Sequence, residues 1–143
     1  PVDGYIPENY VENDMEKLNL YQRIYKAQHL TQLKALESEL KDLYGTLPRE
    51  VQNIVFKRQY EILCTEPFID EVKETGNDVQ LMLTQEFSSH VAGDQLFELV
   101  NRLYDKPQLK YIKNEIVIVI STTGKWLPHT IELLNELKKM NEQ

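Results

Sequence analysis

Residues 39–51 read ELKDLYGTLPREV, and this stretch joins the end of one predicted helix to the start of the next. Gly45 lies where the first helix would end, because glycine adopts the left-handed backbone conformation without steric cost. Pro48 lies where the next helix would begin, because the first turn of a helix does not need the N–H that proline lacks. The stretch therefore predicts a sharp corner between two helices.

The helix before this corner has one apolar stripe. Residues of this stripe follow the three- and four-residue spacing of a single helix face, and they are Leu33, Leu36, Leu40 and Leu43. We expect this face to be buried. Ala35, Glu39 and Asp42 lie along its flank. The two carboxylates could meet a basic partner surface, or they could simply be solvated, as most such charges are.

Two further helices are predicted in the N-terminal half. Asn13 followed by Glu16 resembles a capping box, and it predicts a helix over residues 13–28. The broad apolar face of this helix comprises Met15, Leu18, Leu20, Tyr21, Ile24, Tyr25 and Ala27. Thr31 is expected to cap the helix that ends at the corner. The helix after the corner is predicted over residues 48–64.

The hydrophobic pattern changes from helical to alternating in the second half. Residues 69–75 and 79–84 flank Gly76-Asn77, a dipeptide that suits a tight hairpin turn. A second hairpin is predicted from residues 109–113 and residues 116–120. The latter form a continuous β-branched run, which predicts an interior strand covered on both faces. Because each hairpin is followed by a helical pattern, the second half contains two predicted ββα units.

These elements predict an α+β fold in which three helices precede the two ββα units. We expect a small, mainly antiparallel sheet packed with helices, and the pattern leaves its strand order open. A chain of 143 residues is long enough for one compact core, so a single domain over residues 1–143 is expected. Within it we expect a linker or arm over residues 1–12, a helical part over residues 13–66 and the ββαββα part over residues 67–143.

The composition argues against several classes of protein. The net charge of −7 comes from 23 acidic and 16 basic side chains, spread almost evenly along the chain. An evenly acidic chain is a poor candidate for gripping a phosphate backbone, which needs clustered Lys and Arg. The single cysteine, Cys64, is expected to be a small buried hydrophobe in a reducing compartment. No apolar run is long enough to span a membrane, so we expect a cytoplasmic location.

Common catalytic and metal-binding patterns are not found in the sequence. His29, His90 and His129 lie in separate segments without other ligands at metal-binding spacing. Residues 122–125 resemble only the end of a phosphate-binding loop, because the earlier glycine position holds Val119. We therefore expect no catalytic site, cofactor or metal in this chain.

The helix corner resembles the pattern Glu-Leu-x-Asp-Arg-Phe-Gly-x-Leu-Pro of one bacterial family, the C-terminal (TRCF) domain of transcription-repair coupling factors (Mfd). Residues 5–11 (YIPENYV) and 18–24 (LNLYQRI) are similar to that family's Ile-Pro-x-x-Tyr-Ile and Leu-x-Leu-Tyr-Lys-Arg-Ile elements. Leu43 departs from the family's usual arginine, and beyond residue 66 the likeness is mostly one of element order. The resemblance covers almost the whole chain. A start at Pro1 is expected for a fragment of a longer protein.

The resemblance implies a regulatory domain of a much larger ATP-driven DNA translocase, which displaces stalled RNA polymerase and recruits the DNA-repair protein UvrA. In that family the domain folds back on an N-terminal module resembling UvrB and covers the surface that UvrA must reach. The resemblance thus implies an autoinhibitory clamp. In the family, an acidic pair of the clamp faces arginines of the module, and this pair corresponds to Glu39 and Asp42 in this chain. ATP and Mg²⁺ would belong to the parent's motor domains, and this fragment would not be an enzyme.

The alternative function is that of a nucleic-acid-binding accessory domain of the same kind of motor. It would need a local basic stripe, for which Lys106, Lys110 and Lys113 are the best candidates. On an alternating strand Lys110 and Lys113 would point to opposite faces, which favours scattered solubilising charges. Because a DNA contact weakens steeply as salt rises, a salt titration separates the two functions.

The sequence predicts that the isolated chain neither binds nor hydrolyses ATP. The reason is that it has no complete phosphate loop and no cluster of metal-binding carboxylates. An ATP turnover assay on the purified chain should give the rate of buffer alone. Hydrolysis that survives rigorous purification and depends on a residue of this chain would contradict the prediction.

Overall fold

The computed structural model describes residues 4–143, which form six helices and one four-stranded antiparallel sheet. The helices are α1 Asp14–Lys26, α2 Leu30–Tyr44, α3 Arg49–Leu63, α4 Gln85–His90, α5 Gly93–Leu103 and α6 Trp126–Asn141. The strands are β1 Ile69–Glu74, β2 Asp78–Leu83, β3 Gln108–Ile112 and β4 Glu115–Ser121. The predicted α+β class, with three leading helices, is confirmed.

The chain divides into two compact units, one ending at Ile62 and the other running from Leu63 to Gln143. The boundary falls at the end of α3, close to the predicted change from helical to alternating pattern at residue 66. Each unit has its own buried residues and is described separately. The expectation of a single domain stays a prediction.

Helices α1 to α3 and the segment before α1 share the core of the first unit. That core comprises Ile6, Val11, Leu20, Ile24, Ala27, Leu33, Leu36, Leu40, Leu47, Val51, Ile54, Val55 and Ile62. The Ile6 amide donates to the Tyr21 hydroxyl at 2.8 Å. A Cβ atom added to Gly4 would lie 2.7 Å from Ile54, so the segment packs closely against α3. The part of the predicted arm that the structure describes therefore belongs to the packed unit.

Polar side chains fix where α1 and α2 begin. Asn13 Oδ1 accepts from the Glu16 amide at 3.0 Å, which confirms the predicted N-cap of α1. At α2 the Gln32 Oε1 accepts from the His29 amide at 3.1 Å, and His29 is the N-cap. The prediction that Thr31 caps this helix was wrong, because Thr31 lies inside the first turn.

Arg58 joins α3 to the end of α1. Its Nε and Nη2 atoms donate to the carbonyl oxygen of Ala27 at 3.0 and 2.6 Å. Ala27 is the C-cap of α1, and the last carbonyls of a helix have no partner within the helix. The guanidinium therefore satisfies such a carbonyl and places positive charge at the negative end of the helix dipole.

The broad apolar face predicted for α1 is only partly buried, and the stripe predicted for α2 is shorter than expected. The exposed members are Met15, Leu18, Tyr25 and Leu43, with 66%, 50%, 51% and 66% of their surface accessible. On α1 the buried side runs through Leu20 and Ile24, and the three exposed residues lie on the opposite side. The prediction that Leu43 is buried was wrong, because it lies in the last turn of α2, beside the solvent-exposed corner.

Gly45 ends α2 with φ of 86° and ψ of −158°. The positive φ was predicted, but this ψ lies outside the left-handed helical region, in a conformation that is almost exclusive to glycine. The Gly45 N–H donates to the Lys41 carbonyl at 3.0 Å. Helix α3 begins at Arg49, immediately after Pro48, so the predicted corner is confirmed.

The sheet of the second unit has the strand order β1-β2-β4-β3. Its two hairpins are joined by antiparallel pairing of β2 with β4, which places β4 in the interior of the sheet. Residues 117–120 of β4 are all buried, as the predicted interior strand requires. On β2 the buried residues alternate, and they are Val79, Leu81 and Leu83.

Helix α4 was not predicted from the sequence. Its N-cap is Thr84, whose Oγ1 accepts from the Phe87 amide at 3.2 Å. Phe87 is its buried residue and packs on Phe68, with 5.6 Å between ring centroids. A helix of six residues is too short for a hydrophobic period to be recognised.

We predict that Ile118→Asp, and equally Val117→Asp, unfolds the second unit. Both positions are buried, and an unpaired buried charge costs several kcal/mol against a total stability of roughly 5–15 kcal/mol. Thermal melting followed by circular dichroism measures the effect. The matched control is Ile112→Asp, at an exposed position of the edge strand β3, which should melt like wild type. A wild-type melting curve for Ile118→Asp would contradict the interior placement of β4.

We also predict that Gly45→Ala destabilises the first unit by about 1–3 kcal/mol, the cost of forcing a side chain into this backbone conformation. A Cβ atom at Gly45 would meet no atom within 4 Å, so the substitution tests the backbone alone. Gly76→Ala is the control, because Gly76 has equally open surroundings and its φ is not positive. Urea unfolding measures the loss of stability in each variant relative to wild type. Equal losses for Gly45→Ala and Gly76→Ala would contradict the backbone conformation assigned to Gly45.

Candidate functional site

A groove runs between α1 and α2 in the first unit, with a volume of about 240 Å³. It is lined by Val11, Glu16, Asn19, Leu20, Arg23, Glu39, Leu40, Leu43 and Tyr44. A second depression of about 700 Å³ is lined by further residues of the same two helices, among them Lys26, Gln32 and Ala35. One polar stripe of α1 faces α2 along both the groove and the second depression. Its residues follow helical spacing, and they are Glu16, Asn19, Arg23 and Lys26.

The two predicted site residues lie on the flank of α2. Glu39 and Asp42 are both exposed and are one helical turn apart. The Glu39 carboxylate accepts a hydrogen bond from Arg23 and forms an ion pair with it. With the two side chains 44% and 55% exposed, such a pair contributes about 0–1 kcal/mol. Among residues 4–143, Asp42 forms no ion pair, so its carboxylate faces solvent.

Sequence reasoning missed three neighbours of Glu39, namely Arg23, Glu16 and Tyr44. The Tyr44 hydroxyl donates to Glu16 Oε2 at 3.2 Å, and the ring packs against Tyr10 with 5.3 Å between centroids. Desolvation, followed by the negative charges of Glu16 and Glu39, raises the pKa of Tyr44. Its hydroxyl therefore stays protonated and able to donate. The spacing of Glu16 and Arg23 along α1 was the available signal, but it does not reveal which helix that stripe faces.

The charge at this end of the groove is predominantly negative. The carboxylates of Glu16 and Glu39 line the groove together with one guanidinium, that of Arg23, and the exposed carboxylate of Asp42 lies one helical turn after Glu39. Exposed Leu43 adds an apolar side chain to the same surface. Such an arrangement complements a basic protein surface and repels phosphate groups.

The three lysines of the alternative function do not form one stripe. Lys106 lines a cleft of about 390 Å³ in the second unit together with Lys125 and His129. Lys110 lies on β3 opposite Val117. Lys113 was expected on the strand, but it lies in the β3–β4 turn with a positive φ of 52°. A continuous track for a nucleic-acid backbone is therefore not formed by these residues.

Two other kinds of functional feature are absent from the part of the chain that the structure describes. Within residues 4–143, no group of three or more His, Cys, Asp and Glu side chains is arranged to hold a metal ion. No helix in the same range is both long enough and apolar enough to cross a bilayer. Cys64, which was expected to be buried, is half-buried.

Comparison with known proteins connects this chain to one family. The family model described as the TRCF domain matches residues 1–93. The transcription-repair-coupling factor of Bacillus subtilis (strain 168) is 26% identical over 146 residues, covering 99% of this chain and 12% of that protein. The protein of the same name from Borreliella burgdorferi is 31% identical over 78 residues, covering 54% of this chain and 7% of that protein. The chain thus spans about an eighth or less of the length of these relatives.

A solved structure agrees with this assignment. The crystal structure of the C-terminal domain of a transcription-repair coupling factor aligns with a TM-score of 0.69 at 17% sequence identity. The alignment covers 99% of this chain and 90% of that domain. The chain therefore belongs to the TRCF domain family, and it has the fold of the C-terminal domain of a transcription-repair coupling factor.

Proposed function

We propose that this domain is an autoinhibitory clamp within a transcription-repair coupling factor. The parent would be an ATP-driven DNA translocase that displaces stalled RNA polymerase and recruits UvrA. The clamp docks on a UvrB-like module of the same protein and masks the surface to which UvrA binds. Its docking surface, here called the acidic surface, consists of Glu16, Glu39, Asp42 and Leu43.

The observation that carries this proposal is the exposure of Asp42 and of Leu43, which follow Glu39 by three and four residues and so neighbour it on α2. Asp42 has no ion-pair partner among residues 4–143, and 66% of the Leu43 surface is accessible. A partner arginine that approaches this flank can pair its guanidinium with a carboxylate and lay its aliphatic stem on Leu43, which is one turn from Glu39. Burial of this pair on docking would remove water from the charge contact and so strengthen it.

Glu39 contributes differently from Asp42, because Arg23 already holds its carboxylate in the undocked domain. A partner arginine must share Glu39 with Arg23 or displace it. The exposed Arg23–Glu39 pair contributes only about 0–1 kcal/mol, so the exchange costs little. Asp42 therefore supplies most of the electrostatic attraction, and Arg23 limits the contribution of Glu39.

Covalent connection lets a weak contact hold the clamp closed. A domain tethered to its target experiences an effective concentration on the order of millimolar. Modest intrinsic affinity is then enough to cover the UvrA-binding surface for most of the time. The same domain added as a separate chain should bind the UvrB-like module poorly.

We predict that Glu39→Lys combined with Asp42→Lys opens the clamp of the full-length protein. Both side chains are exposed, so the fold should persist, but the new lysines would face the arginines of the module. Loss of about 1.4 kcal/mol from the closed state already shifts its equilibrium constant tenfold, so the apparent affinity for UvrA should rise about tenfold or more. A binding titration of full-length wild type and variant against UvrA measures this.

The control for this experiment is Glu71→Lys combined with Glu74→Lys. These residues are exposed on β1 in the second unit, and the change in net charge is the same. Circular dichroism should show that all three proteins are folded. The control should bind UvrA like wild type, whereas equal affinities of wild type and the Glu39/Asp42 variant would show that this pair does not hold the mask.

A further inference from the structure

The two edges of the sheet are built differently. Strand β1 forms one edge, and its pairing with β2 is interrupted by a register shift between Ile69 and Glu71. Such a bulge twists an edge strand away from further pairing. Strand β3 forms the other edge and pairs with β4 in an unbroken register from Gln108 to Ile112. Only β3 therefore presents a regular edge to which another strand could be added.

The β3 edge also exposes apolar side chains. Every residue of β3 is exposed, and Leu109, Tyr111 and Ile112 have 37%, 62% and 48% of their surface accessible. An antiparallel strand bonds each neighbour through alternate residues only, so the remaining N–H and C=O groups of β3 point away from β4. The strand thus offers both backbone hydrogen bonds and apolar contact area.

Lys110 is the one charged residue within β3, and two further lysines lie in the segments before and after this strand. Lys110 lies within β3, while Lys106 and Lys113 flank its two ends, and all three are exposed. None of these lysines forms an ion pair with any residue in the range 4–143. A partner strand that carries carboxylates would supply the missing counter-charges.

We propose that the β3 edge binds an extended acidic segment of a partner protein, which adds to the sheet as a fifth strand beside β3. The main-chain hydrogen bonds of strand addition provide affinity, and the side chains of β3 select the partner. This interaction is separate from the clamp, because it uses β3 and not the acidic surface on α1 and α2.

The register of β3 indicates the sequence that the segment should have. Leu109 lies opposite Ile118 and Tyr111 opposite Ile116, so these two side chains share one face of the sheet. Lys110 lies opposite Val117 on the other face. A segment in which apolar residues alternate with Asp or Glu therefore places apolar side chains next to Leu109 and Tyr111, and carboxylates next to Lys110.

Charge also argues against pairing of β3 with β3 of a second copy. An antiparallel pair of identical β3 strands would bring lysines of both chains together, which is unfavourable. The acidic edge strand β1 of a second copy has the right charge, with Asp70, Glu71 and Glu74, but its bulge interrupts the register that a long pairing needs. The partner that fits the β3 edge is therefore a separate acidic segment.

The test uses a short fluorescein-labelled peptide in which Glu and Val alternate. Fluorescence anisotropy measures its binding to the chain, and amide chemical shifts of the ¹⁵N-labelled chain show where it binds. We expect shifts concentrated at Gln108–Ile112. Lys110→Glu should weaken binding about tenfold, because one attractive surface contact becomes repulsive. Lys73→Glu, an exposed lysine on the opposite edge, should leave the affinity unchanged.

A second peptide with N-methylated peptide bonds distinguishes strand addition from simple charge attraction. It keeps the carboxylates but cannot form the main-chain hydrogen bonds, and it should not bind. The proposal would be overturned if this peptide bound as tightly as the unmethylated one, if Lys73→Glu weakened binding as much as Lys110→Glu, or if the unmethylated peptide caused no anisotropy change. So would displacement of the peptide by single-stranded DNA, or a dimer in sedimentation that Lys110→Glu dissociates, since either would assign the edge to a different occupant.

Discussion

Burial of Leu33, Leu36 and Leu40 fixes the rotation of α2 about its own axis, and the candidate site depends on that rotation. With these side chains in the core, Glu39 is turned toward α1 and Asp42 toward solvent. A different rotation would bury one carboxylate at a cost of several kcal/mol, so packing and charge specify the same orientation. The position of the acidic surface thus follows from the hydrophobic core beneath it.

The sequence predicted those features that depend on local chemistry. The corner at Gly45, the turn at Gly76-Asn77 and the interior strand β4 all have signals within a few neighbouring residues. Features that depend on packing between elements were not predictable in the same way. Helix spacing placed Leu43 on the core stripe of α2, although the last turn extends beyond the core. Similarly, the sequence identified Glu39 but not Arg23, because two helices must first be packed before their flanking charges can meet.

The two units offer different means of recognition. In the first unit the acidic surface combines exposed charge with one apolar side chain, Leu43, and in the proposed clamp a tether would let such a contact act at low intrinsic affinity. In the second unit β3 offers main-chain hydrogen bonds, which depend less on the identity of individual side chains. A domain with both surfaces could respond to two partners.

The buried segment before α1 affects the order in which the first unit forms during synthesis. Gly4 packs closely against Ile54, and Ile6 belongs to the same core, although some 50 residues separate them from that part of α3. Residues of this segment leave the ribosome before those of α3, so they must wait for their packing partners. At about 5–20 residues per second this delay lasts about 2–10 seconds, during which Ile6 and Val11 have no completed core to enter. The first unit is therefore open to chaperones and proteases until α3 emerges.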